Sequence, residues 1–428
     1  MGGGVMRMGS SRCFAGRRYA SGSSQEAALR KTALYDLHVA HGGKMVPFGG
    51  FHMPVQYSGL SVSASHTFTR TKASLFDVGH MVQRHLRGAG AAAFLERLTP
   101  SGISALETHR STLSALLWEH SGGIVDDTII TRLGPEHFYV VTNAGCREKD
   151  DAFLGRWLAD EGLLKSLPGP VHHEELVDWG LVALQGPLAS AILGSVLADG
   201  EAATLPGLFF GGSQYGRLQL RAGSSSAAEL SSPLLISRGG YTGEDGFEIS
   251  IPPEETVAVT EALLAAGTPE RLQLAGLGAR DSLRLEAGMC LYGHDLDDST
   301  TPVEAALAWI IPKARRNDYS FHGAATILEQ LRPRSQGGLG VSRRRIGLLV
   351  DGAPAREGAD IVDEAGDVIG HVTSGCPSPT LGRNIAMAYI QDGKHKAGTA
   401  VGVVVRGRTR PAVVTKMPFV PTKYWKGE

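Results

Sequence analysis

The chain has 428 residues, a formal net charge of −1, 42% hydrophobic and 20% charged residues, which predicts a soluble globular protein of two or three packed units. A near-neutral balance lacks the basic footprint by which nucleic-acid binders displace counterions, so nucleic acid is not an expected partner. No apolar run reaches the ~18 residues needed to span a bilayer, so a membrane is not one either.

The start of the chain is unlike the rest. Residues 1–25 hold Arg7, Arg12, Arg17 and Arg18 and no acid, Glu26 being the first. An Arg- and Ser-containing, acid-free start is the composition of a mitochondrial transit peptide. It is expected over residues 1–20, with cleavage near Tyr19 in the run Arg17-Arg18-Tyr19-Ala20-Ser21 and the mitochondrial matrix as destination. A tail without consequence is the alternative.

Residues 32–40 predict a short amphipathic helix, followed by a loop rich in Gly, Pro and aromatics over 42–57. A second helix is expected over 91–98. A β-meander follows: strands over 111–118, 128–133 and 138–142, turned by Ser121-Gly122-Gly123 and Gly134-Pro135. Next come a helix over 147–159, a strand over 181–184 and a Pro-initiated helix over 187–197. Short strands follow over 218–220, 234–237 and 248–251, with an exposed loop over 223–232, and then helices over 254–265 and 279–286. From Arg345 onward β-type runs alternate with glycine turns: 346–350, 360–362, 368–372, 385–390, 401–405 and 412–416. Strands in meanders rather than βαβ units make the fold α+β and multidomain. Two α+β subdomains are expected over 30–320, and a C-terminal all-β unit, a barrel or jelly-roll-like sandwich, over 341–422. The four cysteines, Cys13, Cys146, Cys290 and Cys376, form no C-x-x-C pair and read as ordinary small residues.

Several familiar signatures are missing. There is no phosphate loop, and Gly276-Leu277-Gly278 lacks the third glycine of a dinucleotide fingerprint. No serine-hydrolase elbow is present. His172-His173-Glu174-Glu175 has no matching ligand set elsewhere and reads as a solvated loop, so no metal is expected. What remains is polar residues in otherwise apolar elements. Asp126 and Asp127 stand between Ile124-Val125 and Ile129-Ile130. Adjacent strand residues face opposite ways, so at least one carboxylate points inward, where it needs a partner; a wet hairpin flank is the alternative. Glu248 lies opposite the Phe247, Ile249 and Ile251 face, just after the glycine-dense residues 238–246, which suit either close approach to a ligand or a tight turn.

Residues 239–249 (GGYTGEDGFEI), 276–288 (GLGARDSLRLEAG), 122–128 (GGIVDDT), 372–379 (VTSGCPSP) and 417–424 (MPFVPTKY) together resemble the aminomethyltransferases of the glycine cleavage system. Thr301-Pro302-Val303-Glu304, Met53-Pro54-Val55-Gln56-Tyr57 and Phe76-Asp77-Val78 add to the likeness, which runs from about Thr32 to Lys426. Any one motif is weak; eight in the correct order are specific. Ser65 before His66, where relatives carry an acid, and Gly79 before His80, where serine is usual, depart from the pattern.

The resemblance implies transfer of the methylene carbon of an aminomethyl-dihydrolipoyl carrier protein to tetrahydrofolate as co-substrate. The products are 5,10-methylenetetrahydrofolate, ammonia and the dihydrolipoyl carrier, and three domains surround the folate. Implied partners are the lipoylated carrier and the other glycine cleavage subunits. By the same resemblance Asp127 is catalytic, Glu248 holds the pterin edge, Tyr241 flanks the folate and Asn143 helps hold the pterin. Arg280 takes the glutamyl carboxylates, and Tyr424 touches substrate. Spacing alone leaves Arg280 equally able to pair with Asp281 or Glu286 on a wet helix face. Gly240 and Glu244-Asp245 stand where the related iron–sulfur or tRNA-maturation proteins carry a cysteine and Gln-Glu, which argues against that function. The chain has neither the length nor the fingerprint for the flavin domain of a folate-linked oxidase. A non-catalytic folate- or carrier-binding protein would not need Asp127, Glu248 and Arg280 together.

Overall fold

A computed structural model describes residues 29–220 and 229–427; the expected transit peptide and most of the expected 223–232 loop lie outside them. Two antiparallel-dominated sheets and a closed barrel organise the chain. The first sheet has five antiparallel strands in the order Arg110–Leu117, Ile124–Gly134, His137–Thr142, Val82–Arg87 and His172–Glu175. Helices Ala91–Leu98 and Arg147–Leu158 cover one face, burying Phe94, Leu95, Phe153 and Trp157 against Leu116, Ile130 and Phe138. The second sheet runs Ser213–Gly216, Leu234–Arg238, Gly246–Ile251, Gly180–Gln185, Ala73–Asp77, Leu272–Leu274, with one parallel pair at its last edge. Helices Ala189–Val196 and Thr256–Gly267 cover its outer face.

The inner faces of the two sheets meet. Phe76, Leu181, Ala183 and Leu235 of one pack with Tyr139 and Val141 of the other, and Ala279 and Leu283 of helix Leu277–Glu286 join the same cluster. One buried polar clasp ties the sheets. The Tyr139 hydroxyl and the Ser250 hydroxyl both donate to Gln83 Oε1, at 2.7 and 2.6 Å. A buried side-chain oxygen must find donors, so this clasp fixes the relative position of the sheets as apolar contact alone would not.

The six C-terminal strands close in the order Arg343–Val350, Arg383–Gln391, Val368–Ser378, Asp360–Val362, Ala400–Val405, Arg408–Thr415, the last pairing back to the first. Alternate residues such as Ile346, Leu348 and Val350 fill its interior. Of the two architectures expected here, the barrel is the one formed.

Three sequence expectations need correction. Residues 42–57 are not a loop but a hairpin, Gly43–Phe48 paired with Phe51–Tyr57. Gly49 and Gly50, at φ of 54° and 80°, make the two-residue turn that suits the strand twist. The prolines that suggested a loop, Pro47 and Pro54, are tolerated because a two-stranded ribbon consists only of edges. Likewise His172–Glu175 is not a loop but an edge strand, mostly exposed, paired with Val82–Arg87. Glu229–Leu230, expected within the exposed loop over 223–232, instead pairs with Gln219–Leu220 as a short ribbon.

Candidate active site

Asp126 and Asp127 occupy strand Ile124–Gly134, beside a register shift at Leu116/Leu117. Asn143 reaches both carboxylates, so one amide nitrogen brings an oxygen of each acid together. Asn143 is the first residue after strand His137–Thr142 and precedes the 3₁₀ turn Ala144–Cys146. Its main-chain N–H donates to Asp126 Oδ2 at 2.7 Å, while its Nδ2 donates to Asp126 Oδ1 at 2.8 Å and to Asp127 Oδ1 at 2.9 Å. Asp126 is fully buried and Asp127 half-buried. Burial pushes the Asp127 carboxyl up to about 6; the Asn143 hydrogen bond pulls it down and the charge of Asp295 adds to the rise.

Glu248 lies on strand Gly246–Ile251, opposite Ser237 and Ala183. Phe247, Ile249 and Ile251 point into the outer core, so Glu248 shares the inner face with Ser250 and looks toward Tyr139 of the other sheet. Burial raises its pKa, and the Arg280 charge opposes the rise. Arg280, in helix Leu277–Glu286, settles the ambiguity left by spacing. Asp281 pairs with Arg284 and Glu286 with Arg70, so neither is a partner of Arg280. Its guanidinium lies over the Tyr241 ring, 4.7 Å from the centroid, and its Nη1 is buried without a hydrogen-bond partner. A desolvated guanidinium nitrogen left unpaired is costly and calls for an acceptor.

Tyr241 lies at the apex of residues 239–245, where its hydroxyl donates to the Cys290 carbonyl. The loop is pinned underneath. Arg238 holds Asp245 through Nε and Nη2, and Gln185 bridges the Gly239 carbonyl and the Thr242 hydroxyl. Gly240 has φ 152°, and a Cβ there would meet the Gln185 amide at 2.0 Å, so only glycine lets the loop pass. Burial raises the Tyr241 hydroxyl pKa, and the charges of Arg284, Asp127, Arg280 and Asp295 all reach it.

Tyr424 enters differently. It stacks on Phe210, with ring centroids 4.1 Å apart, beside Arg70 and Glu244. The tail is tied to the same glycine loop by Lys423 N–H donating to Gly243 O at 2.8 Å. Tyr424 therefore adjoins the site through the loop rather than through Glu248 or Asp127.

Sequence reasoning missed several residues here. Asp295 is fully buried and accepts from Arg284 Nη1 at 2.7 Å, Ser374 Oγ at 3.0 Å and Leu291 N at 3.0 Å. No local pattern in His294-Asp295-Leu296 signals this; only the approach of the barrel strand Val368–Ser378 does. His80 is buried beside Asp77 and Arg280, and burial lowers its pKa to about 4, so it is neutral at pH 7. Gly79 leaves room at this point, its N–H donating to Asp77 Oδ1 at 2.8 Å. Cys290, read as an ordinary cysteine, is half-buried within the electrostatic reach of Asp127 and Asp295.

Two family models match the chain: the GCVT N-terminal domain over residues 34–315, and the glycine cleavage T-protein C-terminal barrel domain over 343–421. The chain belongs to the glycine cleavage T-protein family. Relatives include the probable mitochondrial aminomethyltransferase of Schizosaccharomyces pombe, 46% identical over 95% of this chain and 97% of that one. The mitochondrial aminomethyltransferase of Pisum sativum is 45% identical over 97% and 93%. Among solved structures, the glycine cleavage system aminomethyltransferase T of Bartonella henselae superposes with a TM-score of 0.79 at 36% identity, covering 93% of this chain and all of that one. This T-protein family member is an aminomethyltransferase, built on the fold of that bacterial enzyme.

Proposed function

We propose that the chain transfers the methylene carbon of an aminomethyl-dihydrolipoyl carrier protein to tetrahydrofolate in the mitochondrial matrix, releasing ammonia and the dihydrolipoyl carrier. The observation that carries this reading is the group Asp127, Tyr241, Arg280 and Glu248, in which a buried guanidinium nitrogen over the Tyr241 ring lacks a partner while the Glu248 and Asp127 carboxyls are raised by burial. Tetrahydrofolate supplies two nucleophilic nitrogens, a pterin edge with adjacent N–H donors, and glutamyl carboxylates. The residues present fit that chemistry. Glu248 accepts the paired pterin donors, Tyr241 and Tyr424 flank the substrate, and Arg280 takes a carboxylate. Asn143 orients the acid side of the site. No metal ligand set occurs among the described residues, and the roles assigned here need none.

Asp127 is assigned the catalytic role. Ionised at neutral pH, it stabilises the positive charge that develops at the transferred carbon as the amine departs, and it accepts the proton lost on ring closure. Residues 1–20 are proposed as the mitochondrial transit peptide, in line with the mitochondrial relatives. The mature chain is divided into a folate-binding region over 30–320, with two α+β subdomains, and a barrel over 341–422. The remaining glycine cleavage subunits are its proposed functional partners.

The test is ammonia release from aminomethylated carrier with tetrahydrofolate. The parent chain turns over, and Asp127→Asn loses at least a hundredfold in kcat with folate affinity within a few-fold. Near-parent rates in Asp127→Asn remove that residue from the mechanism, and no ammonia from the parent removes the function.

A further inference from the structure

Behind Asp127 stands a second carboxylate that the reaction itself does not call for. Asp126 is fully buried, and its two oxygens are spent on Asn143, one on the main-chain N–H and one on the side-chain N–H. A carboxylate that holds both donors of one residue fixes the side-chain torsion of that residue. The second amide proton is then aimed at Asp127, 2.9 Å away. Asp150, in helix Arg147–Leu158, is buried against Asp126, and neither Asp150 oxygen has a conventional hydrogen-bond partner. Burial and the charge of Asp150 push the Asp126 carboxyl up, and burial pushes Asp150 up to about 6.

We propose that Asp126 is a positioning residue which, backed by Asp150, locks the Asn143 amide so that it presents a fixed hydrogen-bond donor to the catalytic Asp127. The proposal rests on the assignment of Asp127 above. The groups facing this relay are Asp150, Cys146 and Tyr292 on the Asp126 side, and Asp295, Tyr241 and Cys290 on the Asp127 side. None of them donates to Asp127 in place of Asn143. The Asn143 bond favours the charged form of Asp127, so its loss raises the pH at which Asp127 protonates.

An asparagine at 126 offers one acceptor oxygen where Asp126 offers two, and turns an NH₂ toward the other donor. Asp126→Asn in the full chain is expected to lower kcat at least tenfold, to leave the folate Kd within threefold by calorimetry, and to move the acid limb of the kcat–pH profile upward. Asn143→Ala, at a half-buried position, should move the limb the same way. The double variant should be no worse than the more damaged single one, because both substitutions break one relay. An unmoved limb in either variant, additive losses in the double, or a folate Kd that weakens in step with kcat overturns the proposal. If Asp126→Asn does not fold, Asn143→Ala alone still decides through its limb. Asp127→Asn run alongside separates the two readings. Activity retained there sinks the assignment of Asp127, whereas an inactive Asp127→Asn with unaffected Asp126 and Asn143 variants sinks only the positioning role.

Discussion

At the scale of single residues, the site is made of charges kept where water would normally be. Asp127 shows the consequence most directly. Its carboxyl titrates at about 6 in the fold against an ordinary 3.8, chiefly because burial penalises the anion. Turnover should therefore fall as pH drops through about 6, as the group protonates. The same shift bears on stability with the opposite preference. A folded pKa above the unfolded one contributes stability that is complete below about 3.8 and is lost as pH rises through about 6. Above that range the ionised Asp127 costs the fold roughly 1–3 kcal/mol. Asp127→Asn should then melt a few degrees higher than the parent at pH 8, with the gain shrinking at pH 4, a comparison that calorimetry makes directly. Glu248 plays another part. Its value is as a two-oxygen acceptor, and Glu248→Gln replaces one acceptor by a donor facing the pterin donors. Folate should bind about tenfold or more weakly, corresponding to roughly 1.5–3 kcal/mol for a hydrogen bond to a charged group; unchanged affinity by calorimetry would remove Glu248 from the pterin contact.

At the scale of elements, helix Leu277–Glu286 carries more of the architecture than its ten residues suggest. One turn presents Arg280 to the site and another packs Leu283 between the sheets. Its last residue, Glu286, is buried where three elements meet. It accepts from Arg70 at 2.8 Å, from Ser378 at 2.5 Å and from Thr380 at 2.7 Å, and pairs with His66 at 3.1 Å. Arg70 passes the tie on to Glu244 of the glycine loop. These donors hold the Glu286 carboxyl at about 2 although burial alone would raise it. Its contribution to stability is present above about 4.5 and is lost as pH falls toward about 2. Glu286→Gln removes the charge while leaving Arg70 buried, so a loss on the order of 3 kcal/mol is expected at pH 7, narrowing toward pH 3. Equal melting temperatures at pH 7 would show that the cluster is not what joins barrel, helix and loop. The helix itself was readable: it was expected over 279–286, two residues late at its start. The role of Glu286 was not, because its partners lie 94 residues later and 216 earlier.

Across the whole molecule, local pattern and tertiary placement divided the work along a physical line. The sequence by itself determined the meander of residues 111–142, the barrel strands and most helices, since periodicity, β-branched runs and turn glycines act within a few residues. Strand alternation raised an inward-pointing acid in the Asp126–Asp127 pair but left a wet hairpin flank open, and only the packed structure shows Asp126 buried. The hairpin over 43–57 and the edge strand His172–Glu175 escaped the sequence, as prolines and charges are acceptable on ribbon edges and give no strand signal there. Only the tertiary structure decided that Arg280 faces Tyr241 rather than Asp281 or Glu286, that Asp295 reaches the site through the barrel, and that Asn143 joins both acids. Each of those outcomes depends on which desolvated charge meets which donor across the packed units. Electrostatic pairing in a buried site is set by distance in space, and a chain read in one dimension carries no record of it.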